Sequence, residues 1–485
     1  MILSFIFSIL FLSILILFFI PKTNQKFLKQ FSLSVSGFVL FLSSVVLINF
    51  NTNNYYFQNV TYYNLGSNYL NMSYSFGLDG ISIYFFVLSS FLIFFCILFV
   101  WEEHFLKEYL MILLVLDLLL LLVFSVLDLF LFYIFFEAIL IPMYLMIGIL
   151  GSRERKIRAA YLFIFYTLFG SLFMLLAIIY IYILIGTLNL ELLLNAHFTF
   201  NEQCWLWGAF FLSFASKIPM FPFHIWLPEA HVEAPTVGSV LLAGILLKLG
   251  VYGFLRFSIT LFPLASLYFA PLVYCLSIVG VIYASLSAIR QTDFKRVIAY
   301  SSIAHMNLIT LGIFSFNTLG IQGAILQSIS HGFVSGALFL LIGILYDRYH
   351  SRLLYYYGGL VHTMPIYAIF FLFFTLANIA LPGTSSFVGE FLLLTGIYKT
   401  SILIAVSGLF GVILSGAYSL WLYNKLIFGN LKFMYTLKFK DITLKEFLVL
   451  LPLFFLVLFM GFYPSFFSEY LNVAVYNISI LNFLN

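Results

Sequence analysis

Charge is what this chain has least of. Only 8% of its 485 residues are Asp, Glu, Lys or Arg, against about 25% in an ordinary soluble domain. That excludes a water-facing globular fold. Cysteine is scarce too. Cys96, Cys204 and Cys275 stand singly, with no CxxC between them, which argues against haem, iron–sulfur and zinc sites built on this chain. No Gly-rich phosphate loop, dinucleotide fingerprint or Ser–His–Asp set is present, so the chain holds no active site of its own for a soluble substrate. There is no long basic run, and nucleic acid is not an expected partner. The opening stretch MILSFIFSILFLSILILFFIPK lacks both a basic n-region and a small-residue cleavage site, and reads as a retained first helix.

What is present is apolar. Hydrophobic residues make up 64% of the chain, with 62 Phe and 32 Tyr; that bias suits an AT-rich organellar gene and hence a mitochondrial protein. Apolar and polar residues do not alternate, so the long runs are helices and not barrel strands. At ~20 residues per crossing, the chain has room for about fourteen spans. The runs fall near 2–20, 31–49, 80–100, 109–127, 129–150, 160–186, 205–227, 236–257, 264–289, 294–314, 318–345, 364–396, 401–428 and 446–464. The predicted fold is an all-α polytopic membrane protein. It forms one integral domain over 1–485, with N-terminal helices over 1–107, repeats over 108–257 and 258–428, and a last helix in 429–485.

The basic residues support this division. Of 22 Lys and Arg, 18 follow odd-numbered spans. Lys217 and Lys248 lie inside spans, and only Arg256 and Lys399 fall on the other side. By the positive-inside rule, odd-span loops face the cytoplasm or matrix. The segment 50–78 has no Lys or Arg and reads as a polar, aromatic-anchored loop on the outer face. Prolines interrupt the seventh span (Pro219, Pro222, Pro228) and the twelfth (Leu381-Pro382-Gly383). Paired broken helices point to inverted repeats; with five helices each, spans four to eight match nine to thirteen, and the two breaks share a slot.

Buried charge is the functional signal. Glu137, Lys217, Lys248 and Glu390 each sit within apolar stretches, where a charge costs at least ~2.5–3.5 kcal/mol. Glu137 is nine residues beyond Asp128, which is predicted to cap the fifth helix. At 1.5 Å per residue it is roughly 13 Å in, near mid-membrane. A carboxylate beside a buried lysine favours the lysine's proton, and moving it away releases that proton. Glu137 with Lys217 is the candidate store. His305 and His331 follow in polar surroundings with Ser301, Ser302, Ser328, Ser330 and Ser335, whose hydroxyls could hold bridging waters. The candidate route is Lys217–Lys248–His305/His331–Glu390. The same residues have a plainer reading, in which Glu137–Lys217 is a static ion pair, Lys248 packs between Gly244 and Gly250, and the histidines only hydrogen-bond. Asp117 is isolated: either a protonated packing residue or an assistant to Glu137. His224, Glu229, His231 and Glu233 lack the HExxH spacing of a zinc protease and read as a structured connector.

Four stretches carry a resemblance: FYIFFEAILIPMYLMIGILGSRERKIRAAY, SFASKIPMFPFHIWLPEAHVEAPTVGSVLLAGILLKLGVYGFLRF, QTDFKRVIAYSSIAHMN and LPGTSSFVGEFLLL. They resemble the antiporter-like membrane subunits of respiratory complex I, the proton-translocating NADH:ubiquinone oxidoreductase, densely from about 108 to 428. The resemblance implies fourteen helices, inverted five-helix repeats and broken helices seven and twelve. It places proton-transfer roles on Glu137, Lys217, Lys248, His305, His331 and Glu390. An acid at position 390 separates the chain from its sister subunits, chains 2 and 5, which carry lysine there. NADH, FMN, iron–sulfur clusters and ubiquinone are implied in partner subunits and not in this chain. Implied partners are chains 2 and 5, accessory subunits and lipids such as cardiolipin. The implied location is the mitochondrial inner membrane, with a bacterial plasma membrane as the second possibility. The other readings are a sodium/proton antiporter subunit, or a structural subunit with a dead ion path.

Overall fold

The computed structural model describes residues 2–64, 73–100, 105–432, 435 and 439–484. Helices α1 (Ile2–Phe19), α2 (Gln25–Ile48), α3 (Ser82–Phe99) and α4 (Leu106–Ser125) open the chain. Helices α5 (Leu129–Gly148) and α6 (Lys156–Ile185) follow. The seventh span is α7a (Phe200–Lys217) and α7b (Trp226–Glu233), and the eighth is α8 (Thr236–Leu261). Next come α9 (Pro263–Ile289), α10 (Phe294–Ile313) and α11 (Thr318–Tyr349). The twelfth is split into α12a (Pro365–Asn378) and α12b (Ser385–Thr400); α13 (Ile402–Ile427), α14 (Leu444–Phe462) and α15 (Pro464–Leu484) end the chain.

Every predicted run therefore contains helix. Among the described residues, eleven helices are long and apolar enough to cross a membrane. The runs that fall short are α7a, α10 and the split twelfth, and these carry Lys217, His305 and Glu390. Polar groups and breaks lower apolarity in these three, whereas Glu137, Lys248 and His331 lie in helices that are apolar enough.

Three expectations need correction. The 50–78 loop contains an antiparallel hairpin, β1 (Gln58–Asn64) with β2 (Ser73–Leu78), in register at Thr61↔Phe76 and Tyr62↔Ser75. Its Val, Thr, Tyr and Phe residues suit a pleated surface better than an open loop. A further helix, α15, lies beyond the run that was expected to be last; it carries Ser, Asn and Glu between its apolar residues and so lacks the long apolar run used to find spans. Arg256, counted as an outer-side charge at the end of the eighth span, sits inside α8 and is buried.

The residues group into two compact units: 1–217, 248–269 and 469–485 in the first; 218–247 and 270–468 in the second. In the first, α5 is capped by Asp128, whose Oδ1 accepts from Phe130 N and Leu131 N at 3.0 Å. Leu127 N donates to Ser75 O at 2.9 Å, tying the helix start to the hairpin. Close approach to α8 occurs at Gly253, where a Cβ would lie 2.3 Å from the Phe214 ring. In the second unit, α11 and α12b touch backbone to backbone. A Cβ on Gly323 would lie 2.3 Å from Leu393 N, and one on Gly389 2.7 Å from Gln327 Cα. Glycine is required here by space. Gly323→Leu is expected to drive these helices apart and cost several kcal/mol, read as loss of the assembled protein on native gels; wild-type levels would contradict the packing.

Candidate functional site

In the first unit, α7a stops where it does because Pro219 and Pro222 have no N–H to continue the ladder. Its last residue is Lys217, 2% exposed. Carbonyls freed at a helix C-terminus favour a cation. The Lys217 ammonium donates to Phe136 O at 3.3 Å and sits 4.1 Å from the centre of the Phe136 ring. Glu137, the next residue on α5, interacts with it electrostatically without closing to a contact ion pair. Ser171 of α6 lies beside the carboxylate, short of hydrogen-bond geometry, and both carboxylate oxygens are enclosed. The predicted partners are thus neighbours separated by a gap, and an aromatic ring holds the cation meanwhile.

Lys248, fully buried, belongs to the same unit. It lies in a short α-helical stretch, Leu247–Gly253, between π-helical turns at Leu242–Leu246 and Phe254–Ser258. Hydropathy does not reveal these turns. Asp117 of α4 is fully enclosed, and neither of its oxygens has a hydrogen-bond partner.

The second unit brings together more than was expected. His305 Nδ1 of α10 lies 3.2 Å from Glu390 Oε1 of α12b, with both side chains at most 6% exposed. Gln327 of α11 donates to the same oxygen at 2.9 Å. The His331 ring is 5.8 Å from that of His305. A cavity with about 10 Å³ of room for a water centre opens between His305, Glu390, Ala304, Gly411 and Ser415, enough for about one molecule. Ser330 bonds to Ser385 at 2.7 Å and Ser386 at 2.8 Å, joining α11 to the start of α12b. Ser301 and Ser302 donate to Ile298 O, and Ser328 to Ile325 O. Those three protons are committed to their own helix, though oxygen lone pairs remain. The break before α12b holds Ala380 at φ +64° and Gly383 at φ +94°, and Pro382 between them has no N–H to carry the helix on.

Sequence reasoning missed Gln327. Its amide is an ordinary polar residue in a Ser-rich helix; spacing alone gives no sign that it reaches 63 residues on to Glu390. It also missed the use of the connector. Glu229 pairs with Arg296 at 2.9 Å and Glu233 with Arg352 at 3.6 Å. Lys295 donates to Ala234 O at 2.9 Å, and His231 stacks on Phe339 at 4.7 Å. The connector is held by Lys295 and Arg296 of the first turn of α10 and by Arg352 just after α11.

Residues 126–415, which include every candidate site residue, match the family model described as NADH:quinone oxidoreductase/Mrp antiporter, TM. The chain is 50% identical over 469 residues to NADH-ubiquinone oxidoreductase chain 4 of Chondrus crispus, covering 96% of this chain and 95% of that one. It superposes on a chain of respiratory complex I from Thermus thermophilus with bound NADH at a TM-score of 0.90 and 32% identity, covering 99% and 100% of the two chains. A chain of the Mrp complex from Dietzia sp. DQ12-45-1b shares the fold at a TM-score of 0.85 and 19% identity, covering 99% and 98%. With a buried carboxylate–histidine contact in one unit and a buried lysine beside a carboxylate in the other, the chain belongs to the antiporter-like membrane subunits of the NADH:quinone oxidoreductase/Mrp antiporter family.

Proposed function

We propose that this chain is the proton-translocating antiporter-like subunit of a mitochondrial inner-membrane NADH:ubiquinone oxidoreductase. Protons move through its buried groups, driven by quinone reduction in other subunits. The observation that carries the reading is the His305–Glu390 contact, held in place by Gln327. An imidazole titrates near neutrality and can hand a proton to a carboxylate at hydrogen-bond distance. In the first unit, the Lys217 ammonium beside Glu137 supplies a loadable proton: closing the gap favours the charged lysine, and opening it favours release. The proposed order is Glu137/Lys217, Lys248, His305 or His331, then Glu390 as terminal station. Fourteen crossings with inverted repeats, spans four to eight against nine to thirteen, belong to this proposal. So do NADH, FMN, iron–sulfur clusters and ubiquinone in partner subunits, and chains 2 and 5, accessory subunits and anionic lipids as neighbours.

The test is Lys217→Ala in the assembled complex within sealed membrane vesicles. NADH-driven proton uptake is expected to fall on the order of 10²-fold, the scale of a lost acid–base group, with coupled NADH oxidation also reduced but by less, so that protons moved per NADH fall too. Uptake at the wild-type rate would reject the mechanism. The Mrp likeness supports a second reading, a sodium/proton antiporter subunit. That reading requires sodium-dependent transport without NADH; the proposal expects uptake unaffected by replacing sodium with choline.

A further inference from the structure

We propose that Asp79 and Arg256 are positioning residues for Lys248, and that they act by fixing the register of the π-helical turn between them and the lysine. The inference rests on the reading that Lys248 carries protons.

Lys248, Tyr252 and Arg256 are spaced four apart along α8, so each stands about one helical turn from the next. The π-helical turn Phe254–Ser258 holds Arg256 and begins directly after the α-helical stretch that holds Lys248. A π turn closes i→i+5 bonds and fits a residue more than the α-helical ladder allows. If it reverted to α-helical bonding with Arg256 fixed, Lys248 would rotate by ~100° about the helix axis and shift by ~1.5 Å. That motion is large enough to remove an ammonium group from any partner. Something must therefore hold the turn.

Arg256 is the residue that is held. It is buried, at 8% exposure, and Nη2 donates to Asp79 Oδ1 at 2.5 Å. Nε donates to the Tyr252 hydroxyl at 3.2 Å, and the guanidinium lies 5.1 Å from the Phe57 ring and 5.3 Å from the Tyr252 ring. The bond to Tyr252 ties the middle of the π turn, at Arg256, to the end of the α-helical stretch, across Gly253 where the turn starts.

Asp79 is a fixed anchor. Its Oδ1 also accepts from Ser82 N at 2.9 Å, while its own N–H donates to Ser82 Oγ at 2.8 Å. The next residue, Gly80, packs against α15: a Cβ there would lie 2.1 Å from Tyr470 O. Asp79 follows β2 directly and cannot follow a rotating helix without breaking this cluster. Removing one partner of such a buried pair leaves the other charge uncompensated, and the turn then has no reason to keep its extra residue.

Three single variants and one double variant, in assembled complex in sealed vesicles, test this, with protons moved per NADH oxidised as the readout. The ratio reports coupling and is independent of how much complex assembles. Asp79→Asn and Arg256→Gln are each expected to lower it about twofold or more, and the double variant no further, because both break one contact. Tyr252→Phe keeps the ring and removes only the hydroxyl, so it is expected to assemble normally and lower the ratio by a smaller amount. Assembled Asp79 and Arg256 variants with an unchanged ratio would overturn the proposal. If they fail to assemble, Tyr252→Phe decides: a normal ratio makes the pair purely structural and overturns it, and a lowered one supports it. Lys248→Ala is the control. Normal pumping in that variant rejects the functional reading itself, whereas lost pumping with normal ratios in the other three rejects only the positioning role.

Discussion

Glu390→Gln is expected to leave an assembled complex whose NADH-driven proton uptake is reduced on the order of 10²-fold. Glutamine has the size of glutamate and can still meet Gln327 across 2.9 Å, so packing is preserved. What it lacks is a basic oxygen 3.2 Å from His305 Nδ1. The imidazole would then have no carboxylate to deliver to, and a proton loaded on His305 would stay there. The measurement is a pH-dye signal in sealed vesicles, with assembly checked on native gels. Gln327→Leu is the informative companion. It removes the donor and keeps the acceptor, so it should loosen Glu390 from its place beside His305 and lower uptake by less than Glu390→Gln does. Wild-type turnover in Glu390→Gln would remove this carboxylate from the path.

Arg352→Met is expected to destabilise the second unit by ~3–5 kcal/mol, the cost of breaking a buried ion pair from one side. The guanidinium is 1% exposed and lies 3.6 Å from the Glu233 carboxylate, itself 3% exposed by side chain. It also donates to Val232 O, and its own carbonyl accepts from Phe294 N at 3.2 Å. Methionine fills much of the space but leaves Glu233 buried and unneutralised by its arginine. The expected result is a lowered thermal midpoint of the assembled complex, with partial recovery when Glu233→Gln is added. A midpoint unchanged by Arg352→Met would mean that the connector is held by other contacts.

These residues differ in how readable they are from the chain alone. Lys217 and Glu390 announce themselves, because a charge within an apolar run is costly and a proline beside it breaks a helix; both signals are local. Asp128 is readable for the same reason, as a capping residue at the mouth of an apolar run. Gln327 is unreadable, since a neutral amide costs little by itself and its target lies on another helix. Arg256 reads only as an outer-side charge at the end of its span, because its partner, Asp79, is 177 residues away. The π turns around Lys248 leave no mark in hydropathy, which follows side chains and not the ladder of backbone bonds. The hairpin before α3 lies in a stretch whose Asn and Tyr content suggests an open loop, although Tyr74, Phe76 and Leu78 alternate with Ser73, Ser75 and Gly77. Local cost can be read along one strand of text, and pairing across the bundle cannot.

Gly323 and Gly389 leave α11 and α12b at touching distance, and this has a kinetic consequence. Two main chains that already meet have no slack in which to slide, so the Cα of Glu390 is effectively stationary. Its freedom lies in its own torsions, which are restrained by burial and by the contacts to His305 and Gln327. A stage of the cycle that needs main chains to slide must then originate outside this pair of helices, which behaves as a fixed frame around the carboxylate.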